Sequence, residues 1–487
     1  MNELTYLDRF VGYISPSALR NRMIARAQLQ VLRSYDAAKS HNSSQIARSS
    51  KSASNEVRGQ VAPIRENVRE VVRNTPFAER GLSIIVNGMV GWGIEASIKH
   101  DDPKRQAKIQ DLWKEWCEGN CSVDRTIDFA SLQRQVVRAT VGDGEVITRD
   151  EITDGSVRLR LLESDYINDQ KELSGTDHKF SNGILKDHMN RPLYYALFLD
   201  HPGGYGIVRR GSSELVSADE VIHVFRQDRP EMDRGISWFA PVVHPLKMLN
   251  ELQWTQLMRL KLSASITGIV TKERSQMPAL KEKEQREADF DISPGTFHFL
   301  NPGESVQFPQ IPNPEGFGGT TKLTLLEVAA GLGIQYEALA GDWGGVNFSS
   351  GRLGDIVFKQ NCESWRWGMF IPRFLNPAFK RFQRYCAIKG VDASKATVEW
   401  VTPSWPMISP SEEISATSNA IRSGLKSLPS ALRELGIDPE RHLQEIADSN
   451  KKIDELGLIL DTDPRRTANQ QLQSADSLAA LNGKANT

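Results

Sequence analysis

The chain has 487 residues, 39% hydrophobic and 25% charged, with 60 basic against 61 acidic side chains. That length exceeds what one hydrophobic core supports, so two or more structural units are expected from an otherwise ordinary folded composition. A net charge of −1 lacks the cation excess that phosphate neutralisation requires, which excludes tight non-specific nucleic-acid capture but not a track along which DNA slides.

Residues 1–60 are weakly patterned. A basic helix-like stretch (Arg20, Arg22, Arg26, Arg33) passes into Ser/Asn-rich sequence near Lys39 to Asn55. This composition cannot bury enough apolar surface to fold alone, and it predicts a partly disordered arm docked on a neighbour. Regular structure is expected from Val61. Val68, Val71 and Val72 mark an amphipathic helix ending at Asn74. Thr75-Pro76 predicts an N-cap with Pro at the first helical position. The next helix carries Phe77, Leu82, Ile85 and Val86 to Gly91-Trp92-Gly93. Ile109 to Trp116 and Phe129 to Val141 read as two more. Gly142-Asp143-Gly144 reads as a turn into alternating strands at Glu145–Arg149, Val157–Leu162, Leu193–Leu199 and Val221–Phe225, an α+β unit.

From Pro241 the apolar residues Leu246, Leu249, Leu252, Leu257 and Leu260 recur at mostly helical steps to about Ser263. Roughly 22 residues at 1.5 Å each make a rod of about 33 Å. A charged run follows (Lys281, Glu282, Lys283, Glu284, Arg286, Glu287, Asp289), then strand-like pieces at Thr296–Leu300 and Ser305–Phe308. A returning helix is predicted over about Lys322 to Leu332. Such an out-and-back pair suits the wall of a ring or tube better than a catalytic pocket. From Ser349 to about Ile388 the pattern is helical again, with Arg352, Lys359 and Arg366 seven apart. That stripe reads either as a solvated face or as a subunit-contact or DNA-near surface, and Pro372 and Pro377 are expected to interrupt it. Val398–Val401 predicts a strand, and Ser411 onward a helical region broken at Leu428-Pro429 and at Gly436 to Pro439. Residues 461–487 are polar and expected to be disordered.

Few residues suggest chemistry. No phosphate-binding G-x-x-x-x-G-K-[ST] loop and no H-E-x-x-H occur. The four cysteines (Cys117, Cys121, Cys362, Cys386) are too few for a disulfide scaffold and lack a His pair to complete a zinc set, so they read as structural thiols. Asp143 and Glu145, or His100-Asp101-Asp102, offer carboxylates for a metal-dependent nuclease, the rival enzymatic reading. Trp343, flanked by glycines, reads as the cap of a mobile loop or as a base-stacking residue. No apolar run approaches the ~20 residues of a membrane span, and no secretory signal opens the chain.

Several stretches carry a family resemblance in collinear order from about residue 33 to 460. They are Arg33 to Ala38, Arg73 to Ala78, Val86 to Ile94, Gly142 to Val146, Arg234 to Trp238, Pro294 to Phe297, Leu300 to Glu304, Ala329 to Glu337 and Asn347 to Arg352. Together they resemble portal proteins of lambda-like tailed phages. The resemblance implies a ring, typically of twelve identical subunits, at one capsid vertex. DNA is packaged through it by a separate terminase and later ejected, with no cofactor, no metal and no catalysis of its own.

Under the same resemblance, residues 61–240 and 351–408 would form a wing, 241–265 and 317–332 two stem helices, 266–316 a clip, 333–350 a tunnel loop and 409–460 a helical crown. Gln335, Tyr336, Asp342, Trp343, Asn347, Phe348, Ser349 and Ser350 would then face double-stranded DNA without reading bases. The 281–289 charges would dock the terminase large subunit and a head-tail adaptor, and the outer surface would meet the major capsid protein. The implied location is the virion, after assembly in the host cytoplasm. A minor capsid protein that plugs a vertex without a channel is the remaining alternative.

Overall fold

A computed structural model describes residues 51–171, 179–204, 212–265, 269–272, 304–307, 317–458 and 460. Helix α1 (Ala53–Val57) already packs, its Ala53 and Val57 buried with Val61 and Met232, so ordered packing starts before Val61. The rest of the expected arm lies outside the described residues, as do the 281–289 charges, the strand expected at Thr296–Leu300 and residues 461–487.

Helix α2 (Val61–Asn74) buries Val61, Arg65, Val68 and Val71, a stripe at three- and four-residue steps. Thr75 turns extended and Pro76 opens α3 (Pro76–Val90), but the Thr75 side chain makes no cap bond. The fixed φ of proline therefore starts this helix without the expected hydroxyl cap. Helix α3 sinks Ala78, Leu82, Ile85, Val86, Met89 and Val90 into the main core. Helix α4 (Pro103–Glu115) is capped by Asp102, and α5 (Phe129–Asp143) by Asp128, which accepts from Ser131 N at 2.7 Å. Between them, Trp113 meets Phe382 edge-on at 4.8 Å and Phe129 at 5.4 Å, the aromatic centre of the core.

The expected turn at Gly142 to Gly144 is shorter than anticipated. Gly142 and Asp143 finish α5, and Gly144 alone reverses the chain at φ +97°. Strand β2 (Glu145–Thr153) is central in a three-stranded antiparallel sheet between β3 (Ser156–Glu163) and β8 (Val221–Phe225). A second antiparallel sheet runs β4 (Lys179–Ser181), β5 (Ile184–Lys186), β6 (Pro192–Phe198), β7 (Ser213–Ser217). Ile147, Leu162, Ile184, Tyr195, Leu197 and Val216 form a small core that both sheets share. Strands β4, β5 and β7 escape the sequence reading because three to five residues give too little alternation to register. So does β1 (Glu95–Lys99), which pairs with β11 (Thr397–Val401) and ties distant parts of the chain together; Lys99 Nζ lies 2.8 Å from Glu399.

Helix α6 (Val243–Ser265) and helix α7 (Phe317–Leu332) lie against each other. Strands β9 (Ile269–Lys272) and β10 (Glu304–Gln307) form an antiparallel pair. After the short α8 (Tyr336–Ala340), helix α9 (Phe348–Trp365) continues through wide π turns at Arg366–Leu375 into α10 (Asn376–Ile388). Pro372 therefore does not break the rod as expected. It falls in the π segment, where hydrogen bonding is already shifted, and Pro377 sits in the first turn of α10. Three helices close the described chain: α11 (Pro410–Arg422), α12 (Leu428–Glu434) and α13 (Pro439–Glu455).

Candidate assembly surfaces

The bases of the paired helices are sunk in the core. Val242, Leu246 and Leu249 are buried at the start of α6, as are Leu325, Val328, Ala329 and Leu332 at the end of α7. Contact there is close enough to require glycine, because a Cβ on Gly331 would come within 2.4 Å of a Val242 methyl. Lys247 Nζ fastens α6 to α2 through Glu70 at 2.8 Å and Asn67 at 2.7 Å. Beyond this base the apolar residues find no cover among the described residues. Trp254 is 63% exposed and Leu323 69%, with Met248, Leu257 and Leu326 also open. Such a run of large apolar side chains on paired helices is the mark of a contact surface.

The 333–350 segment is held at both ends. Asn361 Nδ2 donates to the Gly333 carbonyl at 3.0 Å, and Leu339 is fully buried. Gln335 packs over Gly354 with its Nε2 buried and unpartnered, so it lies inward and not on an open face. The Tyr336 hydroxyl lies 3.2 Å from Asp342, while Lys322 sits 5.4 Å over the Tyr336 ring. Asn347 and Ser350 cap α9 reciprocally: Asn347 Oδ1 accepts from Ser350 N at 2.8 Å, and Ser350 Oγ accepts from Asn347 N at 3.2 Å. Both polar side chains are thus engaged in starting a helix. Trp343, Phe348 and Ser349 are exposed and form the open part of the segment.

The basic stripe does not survive folding intact. Arg352 is exposed and Lys359 pairs with Asp355 at 2.7 Å. Arg366 is buried, donating from Nε to the Met89 carbonyl and from Nη2 to that of Gly88, both at 2.8 Å. Those carbonyls belong to the last turn of α3, which lacks intrahelical partners, so Arg366 is a buried helix cap and no surface contact. Leu353, Ile356, Val357 and Trp367 are exposed large apolar side chains of this rod, beside a groove of about 980 Å³ that Ile356, Trp367, Trp405 and Arg433 line. Helices α11 to α13 are barer still: α11 buries nothing, Ile414 and Leu443 are exposed on these helices, and Leu425 and Leu456 are exposed just beyond their ends.

Sequence reasoning also passed over Trp92, 95% exposed on a turn that Arg134 holds by donating to the Gly91 carbonyl at 2.7 Å. Its signal was present in Gly91-Trp92-Gly93, an aromatic residue with no apolar neighbour in phase.

Asp143 and Glu145 are neutralised within the fold. Asp143 receives Arg69 at 2.5 Å, and Arg69 also reaches Glu163 at 3.1 Å and Asp165 at 2.9 Å. Glu163, Asp165 and His201 are the one grouping among the described residues with metal-ligand spacing, and Arg69 stands against both of its carboxylates. Glu145 is fully buried and accepts from Arg234 Nη2 at 2.5 Å, Gly235 N at 2.8 Å and His223 Nε2 at 3.0 Å. Burial would raise its pKa, but the Arg234 charge and the His223 bond outweigh that and hold it far below the usual range. Asp143 and Glu145 are thereby bound to different guanidiniums, Arg69 and Arg234, instead of forming one ligand pair. Asp102 is likewise engaged, as the cap of α4. Burial pushes the Cys121 thiol up to about 12, consistent with a structural cysteine. No described helix is long and apolar enough to cross a membrane.

A sequence model described as "Phage portal protein, lambda family" matches residues 39–366. The probable portal protein of Halomonas phage phiHAP-1 is 23% identical over 81% of this chain and 81% of its own. Portal protein B of Escherichia phage lambda is 23% identical over 63% of this chain and 64% of its own, a little under two thirds. Among solved structures, the neck of an empty gene transfer agent (GTA) particle includes a chain 14% identical to this one at TM-score 0.47, covering 77% of this chain and 94% of that one.

Proposed function

This chain belongs to the lambda family of phage portal proteins, and on that premise we propose that its copies close head-to-tail into a ring, of twelve, at one capsid vertex. Residues 61–240 and 351–408 form the wing, α6 and α7 the stem that walls the channel, 266–316 the clip and 409–460 the crown. Double-stranded DNA passes inward under a separate terminase motor and later outward, past Trp343, Phe348 and Ser349. The 281–289 charges dock the terminase large subunit and then a head-tail adaptor, rim charges of this kind steering partners more than binding them. The ring sits in the virion after assembly in the host cytoplasm, its outer surface against the major capsid protein. Its part in packaging is passive, with no bond made or broken.

One observation carries this reading. Trp254, Leu257, Leu323 and Leu326 stay exposed on two helices whose bases are core, and burying each such side chain against a neighbour contributes about 1.5–3 kcal/mol. A head-to-tail ring supplies that neighbour to every subunit through two different faces. Native mass spectrometry of the purified full chain tests it. The expected species has twelve times the 54.5 kDa subunit mass. A mass of one or two chains under every condition tried would instead favour the vertex-plug reading.

A further inference from the structure

A cavity of about 450 Å³ opens between strands β5, β6 and β8 and the π segment with α10, and the assembly reading leaves it unused. Four cations line it: Lys186, Arg373, Lys380 and Arg381. Two are neutralised within the fold, Lys186 Nζ by Asp233 at 2.7 Å and Arg381 Nε by Asp150 at 3.0 Å. The other two have no carboxylate partner among the described residues.

Arg373 is held but not satisfied. Its guanidinium lies 4.2 Å from the Phe225 ring centroid and donates from Nη2 to Gln227 Oε1 at 2.8 Å. A guanidinium carries five N–H groups, so donors remain for a ligand. Burial pushes its pKa down, the sign of a desolvated cation lacking a counter-ion. Tyr195 lines the same space and is only 5% exposed, yet its hydroxyl has no hydrogen-bond partner among the described residues. Without a protein partner, that hydroxyl is left to donate to a ligand in the cavity. Three carboxylates also line the space, Asp219, Glu231 and Asp233, none within ion-pair distance of Arg373 or Lys380. Asp233 is engaged by Lys186 and by Asn182 Nδ2 at 3.0 Å, while Asp219 and Glu231 are exposed. His223 brings no charge, burial first of all holding its pKa down.

We propose that this cavity binds a small free oxyanion, of inorganic phosphate or carboxylate type, through the Arg373 guanidinium, the Tyr195 hydroxyl and the Lys380 ammonium. The site takes nothing from the ring reading and stands whether or not subunits close. The probes are sodium phosphate and sodium citrate, titrated calorimetrically into the full chain against sodium chloride at equal ionic strength. Saturable binding of at least one, with Kd about millimolar or tighter, is expected. Phosphate alone would assign the phosphate type, citrate alone the carboxylate type. Arg373→Lys should weaken binding roughly tenfold, because a point charge replaces a planar fork. Tyr195→Phe should weaken it roughly threefold or more, and Lys380→Gln least. No saturable heat with either anion, or unchanged affinity in Arg373→Lys and Tyr195→Phe, would overturn the assignment. Should Arg373→Lys fail to fold, Tyr195→Phe, which deletes one oxygen, decides alone.

Discussion

Helices α3 and α6 are both rich in large aliphatic residues, yet among the described residues only α3 finds cover for them. α3 places Leu82, Ile85, Val86, Met89 and Val90 in the core, and its last carbonyls are capped by Arg366. α6 buries Leu246 and Leu249 and then exposes Trp254 and Leu257. Both helices carry their own backbone ladders, and the difference between them lies in tertiary partners. The core around α3 is complete in one subunit. The far part of α6, with α7 and the helices after Pro410, has apolar surface that no other described residues of the chain cover. Substitutions in the first region should therefore unfold the chain, and those in the second should leave it folded but alone.

The largest effect is expected at the buried charges behind β2. Replacing Arg234 by Ala strands Glu145, fully buried, without its cation. Removing one member of a buried ion pair costs about 3–5 kcal/mol. Chemical denaturation followed by circular dichroism should show a lower midpoint with an unchanged slope. A midpoint equal to the parent would mean that the network contributes nothing and that the core side of the comparison is wrong.

Next in size is the contact between the loops that cradle this network. A Cβ on Gly235 would sit 2.1 Å from the Gly144 carbonyl oxygen, and Gly144 itself holds φ +97°. Gly235→Ala forces two backbones apart, a strain of about 1–3 kcal/mol. The same denaturation series checks it. Loss should be smaller than for Arg234→Ala, and the two should not add, since Gly235 N also donates to Glu145.

Much of this architecture was legible because its signals were local and repeated. α2 was readable to its last residue from valine spacing, and β8 from four apolar β-formers packed into five residues. What stayed hidden depended on distant partners. β1 exists because β11 offers a ladder some 300 residues later, as Lys99 to Glu399 records. Arg366 looked like one of three evenly spaced surface cations, and only the folded α3 terminus makes it a buried cap. Asn347 and Ser350 looked free to meet DNA because a capping box and a polar loop share composition. Asp143 and Glu145 lie two apart but end on opposite partners, Arg69 and Arg234, once Gly144 reverses the chain.

The smallest effect on the single chain is the one that tests the comparison most sharply. Leu257 is exposed on α6, so Leu257→Asp should change the unfolding free energy of an isolated subunit by no more than about 0.5 kcal/mol. In an assembled ring the same change places a carboxylate in an apolar contact at every subunit boundary, where an unpaired charge is strongly disfavoured. Native mass spectrometry should therefore show the population moving from rings to single chains, while circular dichroism and the denaturation midpoint of the dissociated chain stay at the parent values. Rings persisting at parental abundance would take the α6 face out of the subunit boundary. A subunit that unfolds would instead move Leu257 to the side of α3, among residues whose cover comes from their own chain.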